Sequence, residues 1–178
     1  MNKKYELTDE TKEIGGVTLH RIRALRDIPR YGVKSGDLGG WIEAESNLSQ
    51  DDDAWVYGNA WVYGEAKVYG KAWVYGDARV YGNAVVSGAA WVCCSASVYG
   101  NASISGNAWV SGEAKVYGKA WVCGNAKVFG NARVFGNAQV FGNAWVYCNA
   151  RVFGNAEVSG YACGGKNRLA GGFSWKCV

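Results

Sequence analysis

The chain of 178 residues holds one proline, Pro29, and one histidine, His20. A single proline and 26 glycines, most of them in a fixed register, argue against disorder. No apolar run approaches the ~20 residues that a membrane helix needs. The start, Met1 to Glu10, has basic residues but lacks the apolar stretch of a signal peptide. A cytoplasmic protein with no membrane partner is therefore expected. The six cysteines, Cys93, Cys94, Cys123, Cys148, Cys163 and Cys177, show no C-x-x-C spacing, and only His20 could help them hold a metal. Free thiols are expected, with no metal, disulfide framework or cofactor. No threonine follows Thr18, which excludes a threonine ice-binding ladder. Residues 1–53 hold eight basic and eleven acidic residues, residues 54–162 eight and four, and residues 163–178 three and none. A basic middle segment excludes DNA mimicry, and so mild an asymmetry does not by itself call for nucleic acid.

What the chain does have is a period of six. Alanine recurs at nineteen consecutive positions from Ala54 to Ala162. Val follows two places later at seventeen of eighteen positions, with Ile104 the one exception, and Gly two places after that in sixteen of eighteen slots. Cys94 and Cys148 take the other two. The unit is A-x-V-x-G-x, and a short fixed period signals a solenoid built by stacking. Ala and Val alternate with outward residues as in a strand. Gly and the next residue, Asn at ten positions, make a corner, because both tolerate the left-handed backbone region.

The outward aromatics supply an internal test of the number of sides, although sequence duplication could copy the same pattern. Trp55, Trp73, Trp91, Trp109 and Trp145 share one phase of an eighteen-residue period, whose remaining slot is Lys127. Tyr63, Tyr81, Tyr99, Tyr117, Phe135 and Phe153 fill another phase completely. Three hexads per coil predict an all-β fold: a triangular parallel β-helix around a narrow column of Ala and Val. About six coils at ~4.8 Å spacing make the regular part roughly 30 Å long.

Residues 1–40 break the period. Lys3 to Thr8 and Val17 to Ile28 read as two strands around Gly15-Gly16, followed by a loop marked by Gly32, Gly36, Gly39 and Gly40. They form an N-terminal β cap over the open end of the column. The helix is read over residues 41–162, with Ile42 and Leu48 falling in the alanine phase. Residues 163–178 lose the repeat and read as an irregular tail. Leu169, Phe173 and Trp175 could fold it over the last coil; otherwise that end stays open.

Each face can then be read for chemistry. The first carries Trp55, Trp73, Trp91, Trp109 and Trp145 beside Tyr57, Tyr75 and Tyr147. An apolar surface of this size usually marks an interface, for a protein, a second copy, or a glycan or small ligand; the other reading is an aromatic ladder that stabilises the stacked strands. The second sets Arg79, Lys115, Arg133 and Arg151 beside Tyr81, Tyr99 and Tyr117, a candidate surface for an anionic ligand. The third, with Val85, Ser103, Trp121, Gln139 and Glu157, carries no readable chemistry. His20 reads as structural.

The repeat resembles the hexapeptide-repeat superfamily of left-handed β-helix proteins, which implies a left-handed coil. The opening Gly39-Gly40-Trp41-Ile42-Glu43, then Asn47-Leu48-Ser49-Gln50 and Asp53-Ala54-Trp55-Val56-Tyr57-Gly58-Asn59-Ala60, resembles the YdcK-like group. With Lys4-Tyr5-Glu6-Leu7 and Leu19 to Asp27 before it, the chain is similar still to small proteins of phages and prophages of Gram-positive bacteria. Acyltransferases of the superfamily use a histidine as general base and an inserted loop. No histidine follows His20 and no insertion breaks residues 54–162, so no enzyme is expected and no residue is assigned a catalytic role. The resemblance implies a phage or prophage protein in the host cytoplasm, with an anti-defence or host-takeover role. The favoured expectation is a non-catalytic binding or scaffold protein whose aromatic face meets a protein partner or a second copy. The alternatives are a degenerate acyltransferase-like protein holding acyl-CoA or a nucleotide, and a nucleic-acid binder through the basic face.

Overall fold

The computed structural model describes residues 3–160, 168–170 and 174–177. The chain forms an all-β parallel solenoid of about seven turns, with about 18 residues per turn. Each hexad contributes one short strand made of the residue after alanine and the valine, as in Trp91–Val92. Strands eighteen residues apart pair in parallel and in register: Trp73 with Trp91, Trp91 with Trp109, Val92 with Val110. Three sheets result, of six, ten and seven strands, matching the first, second and third faces.

The inward alanines and valines are buried along the whole rod. The repeat stacks because each hexad from Lys67 to Asn137 gives three backbone hydrogen bonds to the next coil. On one edge Trp91 N donates to Ala108 O at 2.9 Å, Cys93 N to Val110 O at 3.0 Å and Ser95 N to Gly112 O at 2.9 Å. The corner glycines have positive φ, as at Gly112 with 68°. Cys94 and Cys148 adopt the same conformation, with φ of 61° and 57°. Corner side chains continue the stacking: Asn107 Nδ2 donates to Asn125 Oδ1, and Asn125 Nδ2 to Asn143 Oδ1, both at 3.1 Å.

The N-terminal cap is an antiparallel hairpin of β1, Tyr5–Ile14, and β2, Val17–Ala24, followed by β3, Leu38–Ile42. The first strand is six residues longer than its expected end at Thr8, because its pairing with β2 resumes at Thr11 after a shift in register. The expected loop also ends early, and Gly39 and Gly40 belong to β3. Glycine is required there by close approach: a Cβ on Gly40 would lie 2.7 Å from Val56 Cγ1 and 2.8 Å from Ala60 O. β3 pairs antiparallel with β2 and in parallel with Trp61–Val62, so it joins hairpin to solenoid.

Ile42 and Leu48 do not stand in the alanine rank. Ile42 pairs with Val62 and Leu48 bridges to Val68, each twenty residues on. The first coil is thus two residues longer than the rest, and those residues lie in Ser49 to Asp53. That segment ties the cap down. Gln50 Oε1 accepts from Lys4 N at 2.8 Å and its Nε2 donates to Tyr5 O at 3.1 Å, mimicking a strand partner. Asn47 is buried and its amide donates to Gly64 O and Ala66 O.

The tail also departs from expectation. Arg168–Ala170 pairs in parallel with Arg151–Phe153, and Ser174–Cys177 with Glu157–Gly160, so the tail extends two of the three sheets. Phe173 lies outside the described residues. Among the described residues no helix is long and apolar enough to cross a membrane.

Candidate functional site

The column after alanine on the first face runs Trp55, Trp73, Trp91, Trp109, Lys127, Trp145, in unbroken register. Its exposure changes sharply along the rod. Trp55 is fully buried, with the ring of Tyr5 meeting it edge-on at 6.3 Å. Tyr31, from the loop between β2 and β3, stacks on Trp73 with centroids 4.8 Å and planes 24° apart. The Tyr31 hydroxyl donates to Lys71 O, which fixes the ring. Trp55 therefore leaves the expected partner face and Trp73 is half-covered, because the cap folds over both. Trp91, Trp109 and Trp145 stay open, at 36%, 37% and 42% exposure.

Within the open part, Trp91 meets Trp73 at 5.6 Å and 87°, and Trp109 at 6.0 Å and 69°. Edge-to-face contact sets the positive rim of one ring on the negative face of the next. Where tryptophan is missing, the Lys127 ammonium lies 5.6 Å from the Trp109 ring and 4.9 Å from Trp145. A cation there is held by both ring faces. The neighbouring column runs Tyr57, Tyr75, Cys93, Ser111, Phe129, Tyr147. Tyr57 is exposed, Tyr75 lies 4.3 Å from Trp73, and Phe129 stacks on Tyr147 at 5.3 Å. Burial raises the Tyr75 hydroxyl pKa above its ordinary value. Two shallow hollows open on this face. One of about 280 Å³ is lined by Arg30, Ala89, Trp91, Asn107, Trp109 and Lys127. The other, of about 240 Å³, lies between Trp109, Lys127, Phe129 and Trp145.

The second face is differently built. Tyr63, Tyr81, Tyr99, Tyr117, Phe135 and Phe153 form one continuous stack, with centroids between 4.9 and 5.2 Å apart and planes within 8°. Each inner ring is sandwiched between its neighbours, so the stack offers edges to solvent. Base stacking needs ring faces. Burial raises the hydroxyl pKa of Tyr63, Tyr81 and Tyr99. Arg79 lies over Trp61 at 4.5 Å, and Lys12 of the hairpin reaches the same ring at 5.3 Å. Lys115, Arg133 and Arg151 are exposed in register along the remaining length. On the third face, exposed Trp121 donates to Ser105 Oγ at 3.3 Å.

Two stretches of the rod, residues 78–93 and 126–142, match the family model of the YdcK beta-solenoid repeat. Both fall in the regular solenoid, and what they share with that family is the repeat. No curated protein matches the chain.

The cap residues Tyr5, Tyr31 and Lys4 carry no periodic signal. Lys4 is fully buried, its ammonium donating to Ala54 O at 2.7 Å with Asp52 Oδ1 at 3.5 Å. Burial pulls its pKa down to about 8. The indole Nε1 atoms of Trp41, Trp55, Trp61 and Trp73, all beneath or beside the cap, are buried without a partner among the described residues. His20 Nδ1 lies 3.3 Å from Thr8 O within the hairpin, away from the aromatic face.

Proposed function

We propose that the protein is a non-catalytic binding scaffold whose rod presents the open end of its first face, from Trp91 to Tyr147, to a protein partner. One observation carries the reading. The chain covers the first two tryptophans of the column with its own Tyr5 and Tyr31, and leaves the next ones, in the same register, uncovered. The Tyr31–Trp73 stack is a template for how a partner's ring would sit on Trp91 or Trp109. Arg30 and Lys127 flank the hollow beside them, so the partner segment is expected to carry an aromatic residue next to an acidic one. Exposed, clustered tryptophans are among the residues that most often dominate binding energy at an interface.

The absence of histidine from the repeats supports a non-catalytic role. The resemblance of the opening motif supports a phage or prophage origin, a cytoplasmic setting and an anti-defence or host-takeover role. To test the docking face, a random peptide library is selected on the intact protein. Selected peptides should pair an aromatic residue with Asp or Glu, weaken at least tenfold on Trp109→Ser and weaken further on Arg30→Glu. Peptides that bind Trp91→Ser/Trp109→Ser/Trp145→Ser as tightly as the parent would refute the assignment. Sedimentation of the free protein tests for a second copy as occupant: a dimer that dissociates on the same substitutions would transfer the face to self-association.

A further inference from the structure

Cys93 and Cys94 are adjacent in sequence but play different parts. Cys93 stands in the column of the first face and is buried; Cys94 occupies a corner slot and is exposed. Their Sγ atoms lie 3.7 Å apart. Cys93 Sγ also accepts a hydrogen bond from Trp109 Nε1 at 3.2 Å, so one sulfur is pinned while the other faces solvent. Burial raises the Cys93 thiol above its ordinary pKa, which leaves the exposed Cys94 as the first to react.

Two fates are open to such a pair, and distance separates them. A disulfide needs the sulfurs to close to ~2.05 Å, and its usual Cα separation of ~4.4–6.8 Å exceeds the ~3.8 Å between adjacent residues. One bridging atom needs almost no movement. With sulfur bonds of ~2.3 Å, as in zinc thiolates, sulfurs 3.7 Å apart subtend about 107° at the bridging atom. That is close to the tetrahedral value and fits a soft centre with two sulfur positions and a third ligand of its own.

We propose that Cys93 and Cys94 form a vicinal-dithiol site for trivalent arsenicals and like thiophilic metalloids. In the capture step, R–As(OH)2 loses both hydroxyls and two As–S bonds replace two As–O bonds. The two thiol protons leave in two molecules of water, and no oxidation state changes. Cys94 attacks first, and Cys93 closes the ring beneath Trp109. The site stands independently of the docking reading, since it depends on the two sulfurs and their corner.

The test is titration of the reduced full chain with phenylarsine oxide, read by intact mass, free-thiol count and competition with a dithiol. The expected result is one tight equivalent that removes two thiols and is released by 2,3-dimercaptopropanol but not by a monothiol. Cys94→Gly restores the residue that sixteen other corners carry, so the variant should fold. It should weaken capture at least 100-fold, the usual scale for losing one of two linked contacts. Cys148→Gly should change nothing. Capture by Cys94→Gly as tight as by the parent would overturn the proposal. So would a parent protein whose two thiols disappear into an air-formed disulfide, recovered only by a reductant.

Discussion

Replacing Val110 by aspartate puts the stacking under direct strain. Val110 is fully buried between Val92 and Val128, in a column of alanine and valine. Burial raises the pKa of such a carboxyl by ~3–5 units, which at ~1.36 kcal/mol per unit costs about 4 kcal/mol at pH 7, roughly three units above the unfolded value. Losing the valine adds about 1.5–3 kcal/mol. The total rivals the ~5–15 kcal/mol that holds a typical domain together. Each coil touches only its neighbours, so a failure at this rung interrupts the rod in its middle. The sign with pH follows from the raised folded pKa of an acid. The deficit is fully present above that value and fades as pH falls toward ~3.9, the unfolded value. Urea unfolding followed by circular dichroism should show Val110→Asp unfolded or nearly so at pH 7, with its difference from the parent shrinking steadily toward pH 4.5. An unchanged transition at pH 7 would refute the inward assignment of the valine rank.

Other perturbations test separate parts of the structure. Gly112→Ala should lower stability by about 1–2 kcal/mol, because the residue has φ of 68° and its Cβ would lie 2.9 Å from Gly130 N. Cys94→Gly should raise the melting temperature, since it relieves the same backbone conformation; chemical denaturation checks both. Lys4→Met should alter how stability varies with alkaline pH. The folded pKa of about 8 lies below the ordinary value of 10.5, so the cost of burying the charged lysine is full below pH 8 and gone above 10.5. The parent should therefore gain about 3 kcal/mol relative to Lys4→Met across that window, and parallel curves would contradict the burial. Tyr31→Ala should uncover Trp73 and red-shift tryptophan emission without unfolding the cap, a change absent from the double variant Tyr31→Ala/Trp73→Phe.

The solenoid was legible because every slot between Ala54 and Ala162 has one physical role. Alanine and valine face in, glycine turns, and an eighteen-residue recurrence of Trp or Tyr is the pattern that superimposed rungs produce, which sequence duplication could also copy and which the pairing of Trp73, Trp91 and Trp109 bears out. The start of the solenoid was not legible. Ile42 and Leu48 suit the alanine rank by spacing and the valine rank by size, and only the pairing with Val62 and Val68 reveals the two extra residues. The covering of Trp55 and Trp73 was hidden for another reason. Period says which way a side chain points, but not which distant segment lies on top of it. Tyr5 and Tyr31 act through contacts fifty and forty-two residues away along the chain. The tail lost its A-x-V-x-G lettering yet kept backbone pairing, which any residue except proline can supply.

Excimer fluorescence from paired pyrene labels tests the winding most directly. The native cysteines are first replaced, by glycine at 94 and 148 and by alanine elsewhere. Labels at Ser97→Cys and Lys115→Cys, eighteen residues apart and paired in register, should give strong excimer emission. Labels at Ser97→Cys and Trp109→Cys, closer in sequence but on different sheets, should give monomer emission alone. The reverse pattern would contradict the three-sided coil and, with it, every face described above.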